Sequence, residues 1–393
     1  MTARRLKVAI VGASMSGNSA EHNRFAVSAH LPVLKALPEH YEVVATCTTR
    51  IETATAAARH FQVPHAYDSV ERMLDELPDL DVVCVSVRPA EQHPVVMAAL
   101  RAGKHVYCEH PMGCTTGQAQ EMHEVARQKN VRTVVGHEHH YEPGMLHLAE
   151  LMRQGYIGKA LTFNLVFFNS GLIIPPLRHW MMQSAMGGHP AWRTGHSLER
   201  VTSVIGDVSD ICADMAVLSS QSSTPDNGAS LCQDQVNNVS FLMRVGDNVM
   251  GSLQLSLTAW FGTGWDFQIY GTEGMLMLSA RGGAESNHMK LYGARADRKL
   301  AMAKAGTPEL LRGHPRQIPV PDRHRYVSGI AGGEINFLVA QVWYAFAAAI
   351  NTGTECVPSF RDELKIHCVW EASEKSVRDR SWTKVDYSPL DSA

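Results

Sequence analysis

The segment Leu6-Lys7-Val8-Ala9-Ile10-Val11-Gly12-Ala13-Ser14-Met15-Ser16-Gly17 constrains this chain more than any other. From Val8 to Val11 the run is short, apolar and β-branched, the pattern of a strand buried on both faces of a parallel sheet. Gly12 ends the strand, and a residue without a Cβ lets the backbone turn sharply and come close to a ligand. A helix after such a turn offers unpaired N–H groups and the positive end of its dipole to a phosphate. Of the fingerprint Gly-x-Gly-x-x-Gly, Gly12 and Gly17 are present and Ser14 takes the place of the middle glycine. Taken alone, this match also fits an ordinary Gly-rich turn of an α/β domain.

The following residues narrow the choice. Strands are expected at 41–47, 82–87, 104–108 and 131–135, and helices at 25–34, 51–60, 95–102 and 115–129. This alternation implies βαβ units in a doubly wound parallel sheet, which binds ligands at the carboxyl ends of its strands. The second strand ends in Thr48-Thr49-Arg50, where an NAD site would carry an acidic residue. Two hydroxyls and a guanidinium suit a 2′-phosphate, which favours NADP, with NAD as the alternative. The competing reading makes Thr49 a helix cap and Arg50 a solvated side chain.

A chain of 393 residues holds two domains of ordinary size, expected at 1–140 and 141–393. A net charge of −3 gives no footprint for nucleic acid. No uninterrupted run of eighteen apolar residues suggests a membrane span, and the N-terminus lacks a signal peptide's apolar region. The eight cysteines are scattered and read as small buried hydrophobes in a reducing cytoplasm. Despite twenty histidines no His-Glu-x-x-His pattern occurs, and no metal is expected. Gly136–Pro143 packs three histidines and two carboxylates into one loop. Neighbours in an extended segment face opposite ways, so His140 and Tyr141 are the pocket candidates there.

The second half reads as an open, mostly antiparallel sheet, with strands at 162–168, 236–243, 248–258, 266–271 and 274–278. Trp260, Phe261 and Trp265 lie near its outer face and suggest a homodimer or homotetramer contact, with core packing as the competing reading. Arg178 and His179, in a Pro-containing loop, could grip a carboxylate or hydroxyl, or could be rim charge. Two late helices, 335–350 and 362–376, are placed to pack back on the first domain.

The stretch Ala102-Gly103-Lys104-His105-Val106-Tyr107-Cys108-Glu109-His110-Pro111 resembles the "AGKHVxCEKP" segment of the Gfo/Idh/MocA oxidoreductases. The likeness extends to Arg88-Pro89 with His93, Arg153–Gly158, Gly271–Gly274 and Pro358–Asp362. Within the family the branch containing the fungal galactose-regulon repressor is similar at His30-Leu31-Pro32, Gln154–Gly158 and Gly195–Glu199. The resemblance implies a nicotinamide dinucleotide, with Gly12, Ser14 and Gly17 at the pyrophosphate and Thr49 and Arg50 at the adenosine end. It implies Arg88, Pro89 and His93 beneath the cofactor and Glu109 near the nicotinamide ribose. It also implies a second domain that walls in a small-molecule substrate and forms an oligomer interface.

Two positions depart from the family pattern. His110 stands where the family carries a lysine that bonds the reacting hydroxyl. Where the family has Asp-x-Gly-x-His, this chain has Trp192-Arg193-Thr194-Gly195-His196; His196 matches, Trp192 takes the aspartate's place, and Glu199 is kept. Hydride transfer needs a proton donor or acceptor at the substrate oxygen, and imidazole has a suitable pKa. The enzyme reading makes His196 the acid/base and His110 the polarising group, with Trp192 and Glu199 beside the substrate. The alternative is a dinucleotide-binding regulator without catalysis.

Overall fold

Six strands form a fully parallel sheet: β1 (Leu6–Val11), β2 (Tyr41–Cys47), β3 (His65–Tyr67), β4 (Val82–Val85), β5 (His105–Cys108) and β6 (Thr133–Val135), in the order β3-β2-β1-β4-β5-β6. The computed structural model describes residues 4–15, 25–171, 191–223, 230–280, 289–296, 314–331 and 334–391. The period-2 alternation of the strands divides their side chains between two cores. Ala9, Val11, Val83 and Val85 join one core, while Val8, Ile10, Val82 and Cys84 join the other. A strand with both faces covered must be apolar throughout, and that is why β1 and β4 are legible as uninterrupted apolar runs.

The helices linking these strands are α1 (Leu31–Lys35), α2 (Ile51–Phe61), α3 (Val70–Glu76), α4 (Pro89–Arg101) and α5 (Thr116–Gln128). The helix expected at 25–34 is present and continues to Lys35, with Pro32 inside it. The wide turn Ala26–His30 runs directly into α1, with His30 and Leu31 both in helical φ/ψ, and Pro32 lies at the second position of α1, just after the change of pitch. After β6 come α6 (Pro143–Arg153) and α7 (Ala191–Val204), and near the end of the chain α8 (Glu334–Thr352) and α9 (Phe360–Asp379).

Alpha-helix α8 packs on the face of the first sheet that carries Val8 and Ile10, through Val339, Val342, Trp343 and Phe346. Trp343 stacks on Tyr107 at 4.7 Å, and the Tyr41 hydroxyl donates to its carbonyl at 2.7 Å. Burying Phe346 alone contributes roughly 1.5–3 kcal/mol. By length and composition, Ile335–Thr352 is apolar enough to cross a membrane, although polar residues such as Asn336 and Gln341 interrupt it. In this fold that apolar character is accounted for by the core.

The second sheet has nine strands in the order β16-β15-β14-β13-β7-β12-β11-β8-β17. They are β7 (Ala160–Phe168), β8 (Val208–Ala216), β11 (Asn238–Val245), β12 (Val249–Ser256), β13 (Gly264–Gly271), β14 (Gly274–Ala280), β15 (Lys290–Arg295), β16 (Arg316–Gln317) and β17 (Thr383–Lys384). The pair β9 (Gln221–Ser223) and β10 (Ser230–Cys232) stands apart. Among the described residues, β7 and β12 are the one parallel pair of neighbours in the larger sheet; the others are antiparallel. Phe163, Leu165, Phe167, Phe241, Leu253, Phe267 and Leu276 line its inner face. Leu242, Met250 and Tyr270 are exposed. Trp265 takes the core reading: it is fully buried, with the Arg200 guanidinium 4.5 Å from its ring, while Trp260 and Phe261 are exposed.

The start of α9 is fixed on the carboxyl end of β6. Val135 N–H donates to Pro358 O at 2.9 Å, Phe360 N–H to Thr133 Oγ1 at 3.3 Å, and Ser359 with Asp362 forms a capping box. This docking carries Glu363, in the first turn of α9, to the edge of the parallel sheet.

Candidate active site

The site lies beyond the carboxyl ends of β1, β4, β5 and β6, where the strand order reverses. Gly12 closes β1 at φ +103°, and a Cβ there would lie 2.2 Å from Ser86 O. Only glycine permits this approach of the two strand ends. Ser14 follows, nearly buried, with its N–H donating to Gly12 O at 2.8 Å. This tight turn at the switch point fits the pyrophosphate cradle of a dinucleotide; Gly17 lies outside the described residues. Thr49 and Arg50 are exposed at the end of β2, and the Thr48 hydroxyl donates to Arg50 O at 2.7 Å. Arg50, not Thr49, is the N-cap residue of α2. Arg88 is the exposed N-cap residue of α4, with Pro89 buried in the first turn. His93, the third residue expected beneath the cofactor, pairs with Glu121 of α5 at 2.8 Å.

Two imidazoles converge on one buried carboxylate, and a third stands against one of them. Glu363 accepts from His110 Nδ1 at 2.8 Å, from His137 Nε2 at 2.7 Å and from Met112 N–H at 3.2 Å. His196, on α7, places Nδ1 3.0 Å from His137 Nδ1. Ring centroids are 4.3 Å apart for His110 and His137, and 4.6 Å for His110 and His196. The Glu363, His110 and His137 side chains are almost wholly buried, while His196 is half-buried. Gly195 makes this packing possible, because a Cβ there would lie 2.4 Å from His110 Cε1.

Charge follows from this geometry. Burial pushes the Glu363 carboxyl up, but the His110 and His137 donors outweigh burial and hold it well below the usual carboxylate range. An ionised carboxylate needs N–H donors, so His110 carries a proton on Nδ1 and His137 on Nε2. Burial, then repulsion from His110, lowers His137 despite Glu363. Burial and the His110 and His137 rings hold His196 well below the ordinary imidazole value. With both rings neutral, His137 Nδ1 accepts from His196 Nδ1–H, which leaves His196 Nε2 as a free base.

Next to this cluster, His140 Nδ1 lies 2.6 Å from Glu199 Oε1. Burial lowers the His140 pKa, but Glu199 more than reverses the effect, and Glu199 is held down in turn by His140. The two form a partly buried ion pair. On the other side, Trp343 Nε1–H donates to His30 Nδ1 at 3.1 Å, so His30 carries its proton on Nε2 and donates to Glu109 Oε1 at 2.7 Å. Burial lowers His30 to about 3, which keeps it a neutral donor that orients Glu109. The Glu109 carboxylate lies against Gly136, where a Cβ would come within 2.7 Å of it.

The structure thus brings together His110, His196, Glu109, His140 and Glu199 at one edge. The Tyr141 hydroxyl donates to Val357 O at 2.6 Å, which anchors the ring beside His140. Arg178 and His179 lie outside the described residues, and Trp192 opens α7 with its side chain undescribed. The sequence reading passed over three residues. His137 is the residue after Gly136 at the end of β6; Glu363 adjoins the Pro358–Asp362 motif; Gln92 links Val87 O, Glu109 O and Gly113 N–H from α4. The extended-chain argument that separated the histidines of this loop fails because Glu138–Tyr141 is a turn of 3₁₀ helix.

Residues 6–137 match the oxidoreductase family with an NAD-binding Rossmann fold, and residues 145–277 match the GFO/IDH/MocA C-terminal domain. An uncharacterised oxidoreductase of Schizosaccharomyces pombe is 32% identical over 40% of this chain and 40% of its own length. The 1,5-anhydro-D-fructose reductase of Ensifer adhaerens is 30% identical over 60% of this chain and 68% of its own. The galactose/lactose metabolism regulatory protein of Saccharomyces cerevisiae is more distant, 24% identical over 34% of this chain and 32% of its own. Levoglucosan dehydrogenase in complex with NADH and L-sorbose shares the fold, with TM-score 0.80 at 20% identity, covering 99% of this chain and 100% of that one. The chain therefore belongs to the Gfo/Idh/MocA family of oxidoreductases, with a Rossmann domain followed by the family's C-terminal domain.

Proposed function

We propose that this oxidoreductase moves a hydride between a nicotinamide dinucleotide and a hydroxyl or carbonyl carbon of a small polar substrate, in the class of sugars, cyclic diols and oxo acids. The observation that carries the reading is the pair His110 and His137 on Glu363, with His196 on His137, at the carboxyl edge of the Rossmann sheet. The bound nicotinamide supplies the hydride acceptor or donor.

The chain's own residues do the rest. Gly12 and Ser14 seat the pyrophosphate, and Glu109, oriented by His30, meets the nicotinamide ribose. Thr49 and Arg50 receive the adenosine end, and their hydroxyl and guanidinium favour the 2′-phosphate of NADP over NAD. In the oxidation direction His196 Nε2 takes the hydroxyl proton as the hydride leaves carbon. Positive charge on His196 is steadied through His137 by the Glu363 carboxylate, as a buried carboxylate steadies the base of a hydrolase triad. His110 stands at the family's lysine position, facing the same oxygen. Glu199 and His140 flank the substrate, and Arg178, His179 and Trp192 remain candidates for its far side. Homodimer or homotetramer formation through the exposed face carrying Leu242, Met250 and Tyr270 completes the reading.

Purified protein with NADP(H) or NAD(H) and a panel of polyols, diols and keto acids tests it, read at the nicotinamide absorbance. Turnover that disappears in His196→Ala, with dinucleotide affinity unchanged, supports the reading. Tight dinucleotide binding without turnover on any panel member refutes it and assigns the chain to the regulatory class.

A further inference from the structure

We propose that His110, His137 and His196 bind one divalent transition-metal ion with zinc-like preferences. The proposal deepens the reading above: it rests on that reading for what the ion does, not for whether the ion binds.

One ring nitrogen from each of the three imidazoles lies within 4.8 Å of the others. The three come from separate elements: the loop after β5, the loop after β6, and α7. Glu363 holds His110 Nδ1–H and His137 Nε2–H, so the lone pairs of this pair are His110 Nε2 and His137 Nδ1. His137 Nδ1 faces His196 Nδ1 at 3.0 Å. His110 Nε2 abuts α7 one residue before His196, since a Cβ on Gly195 would lie 2.5 Å from it. A carboxylate behind metal-binding imidazoles is the arrangement that fixes their tautomer and raises their basicity.

The dimensions suit a tetrahedral ion. Two nitrogens at 2.0–2.1 Å from zinc stand roughly 3.3 Å apart. The His137–His196 contact therefore opens by about 0.3 Å while His110 closes in. Without an ion, a proton must lie between two facing Nδ1 atoms; an ion takes the place of that proton and offsets the buried charge of Glu363. The two occupants use the same lone pairs and exclude each other, and with the ion on Nδ1 the neutral His196 carries its proton on Nε2, so the Nε2 base of the reading above acts only in the ion-free form; in the ion-bound form the ion acidifies the reacting hydroxyl and its proton leaves to solvent through the cleft. All-imidazole donors select zinc, cobalt, nickel or copper over magnesium and calcium. His196 is the half-buried member, so the remaining coordination position opens toward the cleft, as in catalytic rather than structural zinc sites. A cation there supplies, beside the reacting oxygen, the positive charge lost where His110 replaces lysine. The other His/Glu group, His147, Glu150 and His324, already has a cation, since Arg323 lies 2.6 Å from Glu150.

Full-length protein purified without chelator is analysed for metal, then stripped and titrated with Co2+, read by visible d–d absorption. One ion per chain, Co2+ bands of a four-coordinate site and their bleaching by Zn2+ are expected. His137→Ala and His196→Ala abolish the bands, and Glu363→Gln weakens binding about 10–100-fold. Near-ultraviolet circular dichroism and dinucleotide titration report whether each variant is folded. Stripped wild-type protein that is folded and binds dinucleotide but takes up neither Co2+ nor Zn2+ at millimolar concentration overturns the proposal. So does Co2+ uptake unchanged in His137→Ala. Hydride transfer by metal-free protein that added metal does not alter removes the ion's role while the hydride reading stands. Metal uptake without dinucleotide binding keeps the site and defeats the hydride reading.

Discussion

Glu363→Ala tests the site most severely. The wild-type carboxylate accepts from His110, His137 and Met112, all in a dry environment. Each buried donor left without an acceptor costs about 1–3 kcal/mol. Tautomer changes in the two imidazoles and water entering the vacated volume recover part of this. The net loss is then about 3–5 kcal/mol, a large fraction of the 5–15 kcal/mol typical of a whole domain. Glu363→Gln keeps the shape and one acceptor oxygen but turns an NH2 group toward one imidazole N–H, at a cost of about 1–3 kcal/mol. Urea unfolding of chelator-treated protein at pH 7 measures both. The pH dependence carries a sign. The folded pKa of Glu363 is depressed, so its contribution is present above its unfolded value near 4.5 and is lost as pH falls through the folded value. The gap between wild type and Glu363→Ala therefore narrows only in acid. A Glu363→Ala variant within about 0.5 kcal/mol of wild type at pH 7 refutes the assignment of this carboxylate as the buried acceptor of the cluster.

Four further outcomes are expected. The His140–Glu199 pair combines a raised imidazole with a depressed carboxyl. His140 stabilises fully below its unfolded value near 6.5 and loses this as pH rises through its folded pKa; Glu199 stabilises above about 4.5 and loses this in acid, so the stability difference between wild type and His140→Gln peaks between those values, read by thermal unfolding across pH. Glu142, pushed up to about 7 by burial, penalises the folded state as pH rises from 4.5 to 7, so Glu142→Gln flattens that slope and gains up to about 3 kcal/mol at pH 8. Gly195→Ala, although alanine favours a helix by about 1 kcal/mol, displaces the His110 ring and lowers kcat by more than tenfold, with dinucleotide Kd unchanged in a calorimetric titration. Arg50→Ala raises the Kd for NADPH by about 10–100-fold while that for NADH stays within twofold, as loss of one charge-assisted contact predicts.

The Rossmann half is legible in the sequence because its strands are buried on both faces. Val82-Val83-Cys84-Val85 has no other reading once Gly103, Gly12 and the intervening helices punctuate it. The short β3 and α3 carry too few residues for a period to emerge, and β8, with one face solvated and mixed in character, is masked by Asp210 and Asp214. The family motifs are legible as motifs, but their reason is tertiary. Tyr156–Gly158 docks against Thr272 and Glu273, where Glu273 N–H donates to Ile157 O at 2.8 Å and a Cβ on Gly158 would lie 2.3 Å from Thr272 Oγ1. Pro358–Asp362 is a helix start pinned to β6, and what it delivers is the next residue, Glu363. A carboxylate that acts from 226 positions away on His137 leaves no local signal in either segment. His137 escaped for a related reason: its partners are set by strand order, not by its loop. Of the two readings open for Trp265, surface contact and core, the structure takes the core, where it packs with Phe267 on the inner face of the second sheet.

A crystal structure of the protein with NADH bound tests the central claim most directly. The account predicts the pyrophosphate on Gly12 and Ser14 and the nicotinamide ring packed beside His110 and His196, with His196 Nε2 facing the space in front of its C4 atom. A nicotinamide lodged outside this cleft, or a His196 ring turned away from it with Glu363 no longer holding His137, contradicts the account.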